Sequence, residues 1–254
     1  MGCESRDTQV ATLRKEGLVV VRNLVDADQI AQLRHIAQTQ LDQRVAPLEL
    51  EADIGYPGAP VSLEAEGGRT VRRLLDAWSR GEAYRQWATS APIRDWMNSY
   101  FNEPSMLSLA HHNCVMTKHP HYGSLTGWHR DFRYWAFDRD DMVSVWLALG
   151  PENDFNGGLH LVPGSHVEQI SGDRFDAKKF LRDDLPANQA LIARAVTPEL
   201  QAGDVMFFHS DTLHAAGQNQ SDAVKFSSVF TYHAASNAPT AGTRSAAKGS
   251  IPLV

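Results

Sequence analysis

The segment TGWHRDFRYW, residues 126–135, sets a histidine and an aspartate two positions apart in a run otherwise dominated by tryptophan, phenylalanine and tyrosine. On a strand, residues i and i+2 project to one face with backbones roughly 6 to 7 Å apart, so His129 and Asp131 are expected to point into one cavity. Two such groups make only an edge of a metal site. A third must come from another strand lining the same interior, and His214, in GDVMFFHSDTLHAAGQNQ, is the candidate, read as lying at the end of the strand that the AGD turn begins.

Outward from this segment, the chain after Pro104 is a series of short apolar runs: SMLSLAHHNCVMTK, DMVSVWLALG, GGLHLVPGSH, DVMFFHS and KFSSVFTYH. Glycine, proline, asparagine and aspartate separate them, which is the pattern of an antiparallel sandwich or barrel. The earlier part reads differently. TQVATLRKEG is helical and stops at Gly17, LVVVRNLV is a short apolar strand, and a second helix follows with Ile30, Leu33, Ile36, Ala37 and Leu41 on one face and Asp26 or Asp28 as its cap. The Gly-, Pro- and Glu-rich stretch APLELEADIGYPGAPVSLEAEGGRT is expected to be a long surface loop. Residues 71–100 return to helical spacing, with Pro92 in the first turn of a further helix. The predicted organisation is one domain over residues 1–254. A helical part with its loop (1–105) packs on a β core (106–236) carrying a helix-and-loop insert near 167–196, and a C-terminal tail (237–254) follows.

Composition narrows the function. Of the 254 residues 43% are hydrophobic, enough for a full core, and the net charge of -6 without any Lys/Arg cluster argues against nucleic acid as a partner. No apolar run approaches the roughly 20 residues of a membrane span, and the start MGCESRDTQV lacks the apolar region of a signal peptide, so a soluble, cytoplasmic protein is expected. Gly2 and Cys3 would suit acylation, but Arg6 stands where the myristoylation pattern wants Ser or Thr. With Cys114 the only other cysteine, no disulfide framework is indicated.

Two histidines and a carboxylate on one face of a metal leave the opposite face open, the arrangement of non-haem iron(II) oxygenases, in which a bidentate cosubstrate and dioxygen share the ion. The motifs WHRD, NGGLHLVPGSH, AGDVMFFHSDTLHAAGQN and KFSSVFTYH, in this order between about residues 110 and 235, resemble the phytanoyl-CoA dioxygenase family of iron(II)- and 2-oxoglutarate-dependent oxygenases. The resemblance implies a mainly β fold with flanking helices, its core a double-stranded β-helix of the cupin kind, a two-sheet jelly roll with the metal at its mouth. Matched residue by residue, it makes His129, Asp131 and His214 the iron ligands. Where the family places an arginine to pair with the far carboxylate of 2-oxoglutarate stands Lys225, a point charge in place of a two-pronged fork. Ser227 resembles the hydroxyl partner of that arginine, Trp146 matches a family tryptophan near the cosubstrate, and Arg244 in GTRS is the next candidate anchor.

Arg130, Arg133 and Trp135 follow the metal motif and are candidates to line the substrate mouth. The remaining histidines of the core, His111, His112, His119, His121, His160, His166, His209 and His233, read as structural. Among them His166 orders the PGSH turn, and alternation turns His209 to the opposite face from His214. The reaction implied is oxidation of an unactivated C–H bond of a small-molecule metabolite or natural-product intermediate, by hydroxylation, desaturation or ring closure, with 2-oxoglutarate and O2 consumed and succinate and CO2 released. Asp131 leaves no vacant ligand position for a halide. A cupin-type isomerase or hydrolase using another divalent ion as Lewis acid, and a non-catalytic ligand-binding relative, share the triad. Neither needs a dicarboxylate anchor, so Lys225 with Ser227 favours the oxygenase.

Overall fold

Twelve strands and seven helices are present in the computed structural model, which describes residues 4–56 and 58–254; Gly2 and Cys3 lie outside the described residues. The strands are β1 (Leu18–Val21), β2 (Leu48–Leu50), β3 (Val71–Leu75), β4 (Ser105–Ser108), β5 (Cys114–Lys118), β6 (Thr126–His129), β7 (Met142–Ala148), β8 (Leu159–Leu161), β9 (Val205–His209), β10 (His214–Ala216), β11 (Lys225–Ala234) and β12 (Ser250–Pro252). The helices are α1 (Arg6–Glu16), α2 (Ala27–Asp42), α3 (Glu51–Ile54), α4 (Glu82–Ala88), α5 (Ala91–Phe101), α6 (Pro186–Ile192) and α7 (Arg244–Lys248). A nine-stranded sheet runs in the order β1-β9-β7-β11-β5-β3-β2, with β4 joined to β11 and β12, and faces a three-stranded sheet β6-β10-β8. Two facing antiparallel sheets make the jelly roll that the resemblance implies.

Alternation along the central strands decides where the core and the site lie. Val143, Val145 and Leu147 of β7, Val205 and Phe207 of β9, and Phe226, Phe230 and Tyr232 of β11 bury one face of the large sheet against α1, α2, α4 and α5. The residues of opposite parity, Trp146, Met206, Phe208 and Val229, turn inward toward Leu159 and Leu161 of the small sheet. Because a strand has a two-residue period, the same register that builds the outer core directs Lys225, Ser227 and Trp146 into the interior. Both faces of β11 are covered, and all ten of its residues are buried.

Local signals place the helices. Ser5 caps α1 by accepting from the Thr8 amide, and the helix stops at Gly17, whose φ of 75° is left-handed. Asp26, not Asp28, caps α2 by accepting from the Gln29 amide. Elsewhere the structure departs from expectation. Val71–Leu75 (VRRLL) is a strand paired with β2 and β5, not the start of a helix, and β2 lies inside the expected loop. A five-residue apolar run carries no period that separates helix from strand, and the pairing partners settle it. Through β1, β2 and β3 the first hundred residues extend the large sheet as well as packing on it. The C-terminal segment forms α7 and then β12, which pairs with β4. Among the described residues, no helix is long and apolar enough to cross a membrane.

Candidate active site

Strand β6 ends at His129, and Asp131 opens a 3-10 turn over Asp131–Tyr134, so the pair is not two positions of one continuous strand. The turn folds the carboxylate back toward the preceding imidazole, and His129 Nε2 lies 3.3 Å from Asp131 Oδ1. His214 opens β10 and does not end the preceding strand, because β9 stops at His209 and the chain crosses to the small sheet between them. In β10 its Cα partner across the ladder is His129 itself. The imidazole centroids are 4.3 Å apart, and His214 Nε2 lies 3.4 Å from the same Oδ1. Ligand atoms of the three residues all lie within 4.8 Å of one another, and all three residues are buried.

Both imidazoles are fixed in the same tautomer. A carbonyl oxygen only accepts, so Nδ1–H of His129 donates to Gly127 O at 2.8 Å and Nδ1–H of His214 donates to Thr212 O at 3.0 Å. Each Nε2 lone pair is thereby left facing Asp131, the orientation a metal ligand needs. Burial pushes the Asp131 carboxyl up, but the imidazoles of His112, His214 and His129 outweigh it and hold it well below the usual carboxylate range. Burial takes His129 down to about 4. Neither oxygen of this fully buried carboxylate has a properly formed hydrogen bond. Asp131 raises the His214 imidazole against the effect of its burial. An ionised carboxylate in that position needs a cation, and a two-His, one-carboxylate donor set fits iron(II).

The interior beside the triad is lined by Tyr56, Arg72, Arg73, Lys118, Tyr134, Trp146, Phe208 and Lys225, among others. Lys225 and Trp146 therefore share one cavity with the three ligands, and Ser227 lies against Lys225. These three donors converge on Glu152, which the sequence reading missed. Lys225 Nζ donates to Oε2 at 3.0 Å, Ser227 Oγ to Oε1 at 2.7 Å, and Trp146 Nε1 to both oxygens at 3.1 and 3.2 Å. Glu152 is 2% exposed, in the loop after β7, where its main chain exchanges two hydrogen bonds with Leu200.

Two further groups escaped sequence reading. His112, expected to be structural, presents Nδ1 at 3.2 Å from Asp131 Oδ2, and burial lowers its pKa to about 4. Arg72 and Arg73, on the strand taken for a helix, are buried against Glu49 and Glu51; Arg73 reaches Glu49 at 3.0 Å. The signal available for them was the alternation of Glu49 and Glu51 in LELEA opposite two arginines that need counter-charges. Of the candidates for the substrate mouth, Arg130 is spent on the carbonyls of Ser165 and Glu168, at 2.7 and 2.8 Å. Trp135 packs with Ala110, Phe137 and Met142 behind the site. Arg133 lies over the rings of Phe180 and Tyr134, 4.1 and 4.7 Å from their centroids, at the rim. Arg244 stands in a separate hollow behind His111 and His112. His209 faces Asp141, away from the triad, as expected.

Comparison with known proteins agrees with this geometry. Residues 13–227 match the model of the family described as phytanoyl-CoA dioxygenase (PhyH). The human peroxisomal phytanoyl-CoA dioxygenase is 24% identical, over 86% of this chain and 67% of its own length. An ectoine dioxygenase of Sphingopyxis alaskensis is 22% identical, over 90% of this chain and 76% of its own. Among solved structures, the carbocyclase SnoK of nogalamycin biosynthesis superposes with a TM-score of 0.75 at 20% identity, covering 96% of this chain and 91% of its own. The epimerase SnoN, solved with Fe3+ and alpha-ketoglutarate, gives 0.74 at 22%, covering 94% and 87%. A family match over most of the chain, and a buried carboxylate that only a cation satisfies, place the chain in the phytanoyl-CoA dioxygenase (PhyH) family, as a non-haem iron, 2-oxoglutarate-dependent dioxygenase.

Proposed function

We propose that this dioxygenase hydroxylates, desaturates or cyclises a small-molecule metabolite or natural-product intermediate, releasing succinate and CO2. The observation that carries the reading is the buried Asp131 carboxylate, bare of hydrogen bonds, whose Oδ1 faces two Nε2 atoms on the floor of a cavity with a basic far end. His129, Asp131 and His214 would hold the iron, which when bound supplies the redox chemistry with dioxygen. The 2-oxo acid end of the cosubstrate would be held beside the three ligands, with its far carboxylate toward the basic end of the cavity, where Lys225, Ser227 and Trp146 stand. Met116, Leu159, Phe208 and Ala216 line the walls between with apolar surface, keeping bulk water from the reacting centre.

Tyr56, whose hydroxyl is 2.9 Å from that of Tyr134, belongs both to this cavity and to an outer hollow lined by Trp128 and Phe180. We place the substrate there, with aromatic faces to stack on and Arg133 at the rim for a single negative group. The small-metabolite class draws support from the fold neighbours of nogalamycin biosynthesis and from an acidic chain that disfavours polyanions. The test is to incubate iron-loaded protein and 2-oxoglutarate with fractionated metabolite pools and compare masses. A species gaining one oxygen or losing two hydrogens is expected; pools left unchanged while 2-oxoglutarate is consumed would remove the small-metabolite assignment.

A further inference from the structure

Lys118 on β5 and Lys225 on β11 are directly opposed Cα partners, and both side chains line the metal cavity. Their circumstances differ. Lys225 is bound to Glu152 and Ser227 at 3.0 and 3.2 Å. Lys118 Nζ donates to a neutral acceptor, Ser124 O at 3.0 Å, and among the described residues it forms no ion pair, although it is only 8% exposed. Room is kept for it: a Cβ on Gly157, whose φ is +75°, would lie 3.1 Å from Lys118 Cε.

The charges at this end of the cavity do not cancel. Arg72, Arg73, Lys118 and Lys225 are faced by three carboxylates, Glu49 and Glu51 on the arginines and Glu152 on Lys225. One positive charge remains, and Lys118 is the side chain without a counter-ion. A buried amine in that state calls for an anionic ligand. Displacing Glu152 to free Lys225 would instead strip a buried carboxylate of donors from three side chains, in a loop pinned by its main chain to Leu200.

We propose that Lys118 binds the far carboxylate of 2-oxoglutarate directly, while Lys225, neutralised by Glu152, forms the polar wall beside it. This rests on the oxygenase reading above. It makes Lys118 a specificity residue for a dicarboxylic 2-oxo acid, at a position that the family pattern does not point to. Burial, with Arg72 and Lys225 nearby and Glu51 only partly compensating, lowers the Lys118 amine to about 7. The ligand's carboxylate then restores the proton, so binding takes up a proton above neutrality.

The test is anaerobic calorimetry of the iron(II)-loaded protein with 2-oxoglutarate and with pyruvate, which has the same 2-oxo acid head but no far carboxylate. The parent should prefer 2-oxoglutarate by about tenfold or more, the worth of a buried charge-assisted bond. Lys118→Met should bring the two ligands to within about threefold while pyruvate affinity and iron content stay at parent levels, and Lys118→Arg should recover part of the preference. On the unmodified protein, the preference should fall about fivefold or more between about pH 6.5 and 8.5, as the free amine deprotonates with Arg72, Lys225, Glu49, Glu51 and Glu152 as its charged neighbours. A Lys118→Met protein that keeps the parent preference, a parent preference flat with pH, or a parent that binds both acids equally would each overturn the assignment. A parent that binds neither 2-oxo acid would overturn the oxygenase reading along with it.

Discussion

His112 Nδ1 stands 3.2 Å from Oδ2 of Asp131, while Oδ1 of the same carboxylate faces Nε2 of His129 and of His214 at 3.3 and 3.4 Å. The two oxygens have different surroundings: Oδ1 points at the metal position, while Oδ2 faces the imidazole of His112, whose Nδ1 is hydrogen-bonded to Ser144 Oγ at 3.3 Å. His112 is itself held at a positive φ of 46°, with Trp135 edge-on at 5.4 Å between centroids.

His112→Leu should therefore weaken iron(II) binding by about tenfold without removing a ligand, as loss of an outer-shell partner does. Chelator competition measures it. Undiminished affinity would show that Asp131 needs no such partner.

The metal-free protein should lose stability as pH falls from about 6.5 toward 4. Burial lowers His112 and His129 to about 4 and His111 well below its ordinary value, so the unfolded chain binds protons in that window that the folded one refuses. His214, raised by Asp131 against the effect of its burial, contributes stability that is already present below its unfolded value and lost only as pH rises, so it does not reverse the loss in this window. One fully buried histidine shifted as far as His112 contributes on the order of 3 kcal/mol. Urea denaturation across this pH range gives the slope, and an unchanged midpoint would contradict the burial argument.

Lys225→Ala should cost about 3 kcal/mol, because it leaves Glu152 charged and buried without its cation. Lys225→Ala with Glu152→Ala should lie closer to the parent than Lys225→Ala alone does. Equal losses in the single and double variants would mean that the pair is not energetically coupled.

Gly17→Ala reaches the site from outside. At φ 75° a Cβ would stand 2.5 Å from His166 Nδ1 and 2.6 Å from Thr212 Oγ1, and Thr212 both donates to Gly17 O and carries the carbonyl that orients His214. Destabilisation of about 1 to 3 kcal/mol is expected, with weakened iron binding. A variant with parent stability would show that the loop yields.

The jelly roll and the triad were legible because both rest on local signals: turn-bounded apolar runs for the sheets, and four ordered motifs for His129, Asp131 and His214. What was not legible depends on pairing across distance. Strand β3 was hidden because a five-residue run has no decisive period, and with it went Arg72 and Arg73. Glu152 lies in a loop and meets Lys225 only because β7 and β11 are neighbours. His112, one of eight histidines assigned to the framework, differs from the others only in facing Asp131, a relationship that no spacing encodes.

The most direct test is oxygen consumption and succinate formation by protein reconstituted anaerobically with iron(II), supplied with 2-oxoglutarate and then air. Slow, iron-dependent succinate is expected even without the prime substrate, accelerating when a metabolite pool contains it, and vanishing in His129→Ala, Asp131→Ala and His214→Ala as each loses iron. Reconstituted protein that binds iron and 2-oxoglutarate yet yields no succinate across broad metabolite pools would contradict the account, as would a His214→Ala variant that binds iron as tightly as the parent.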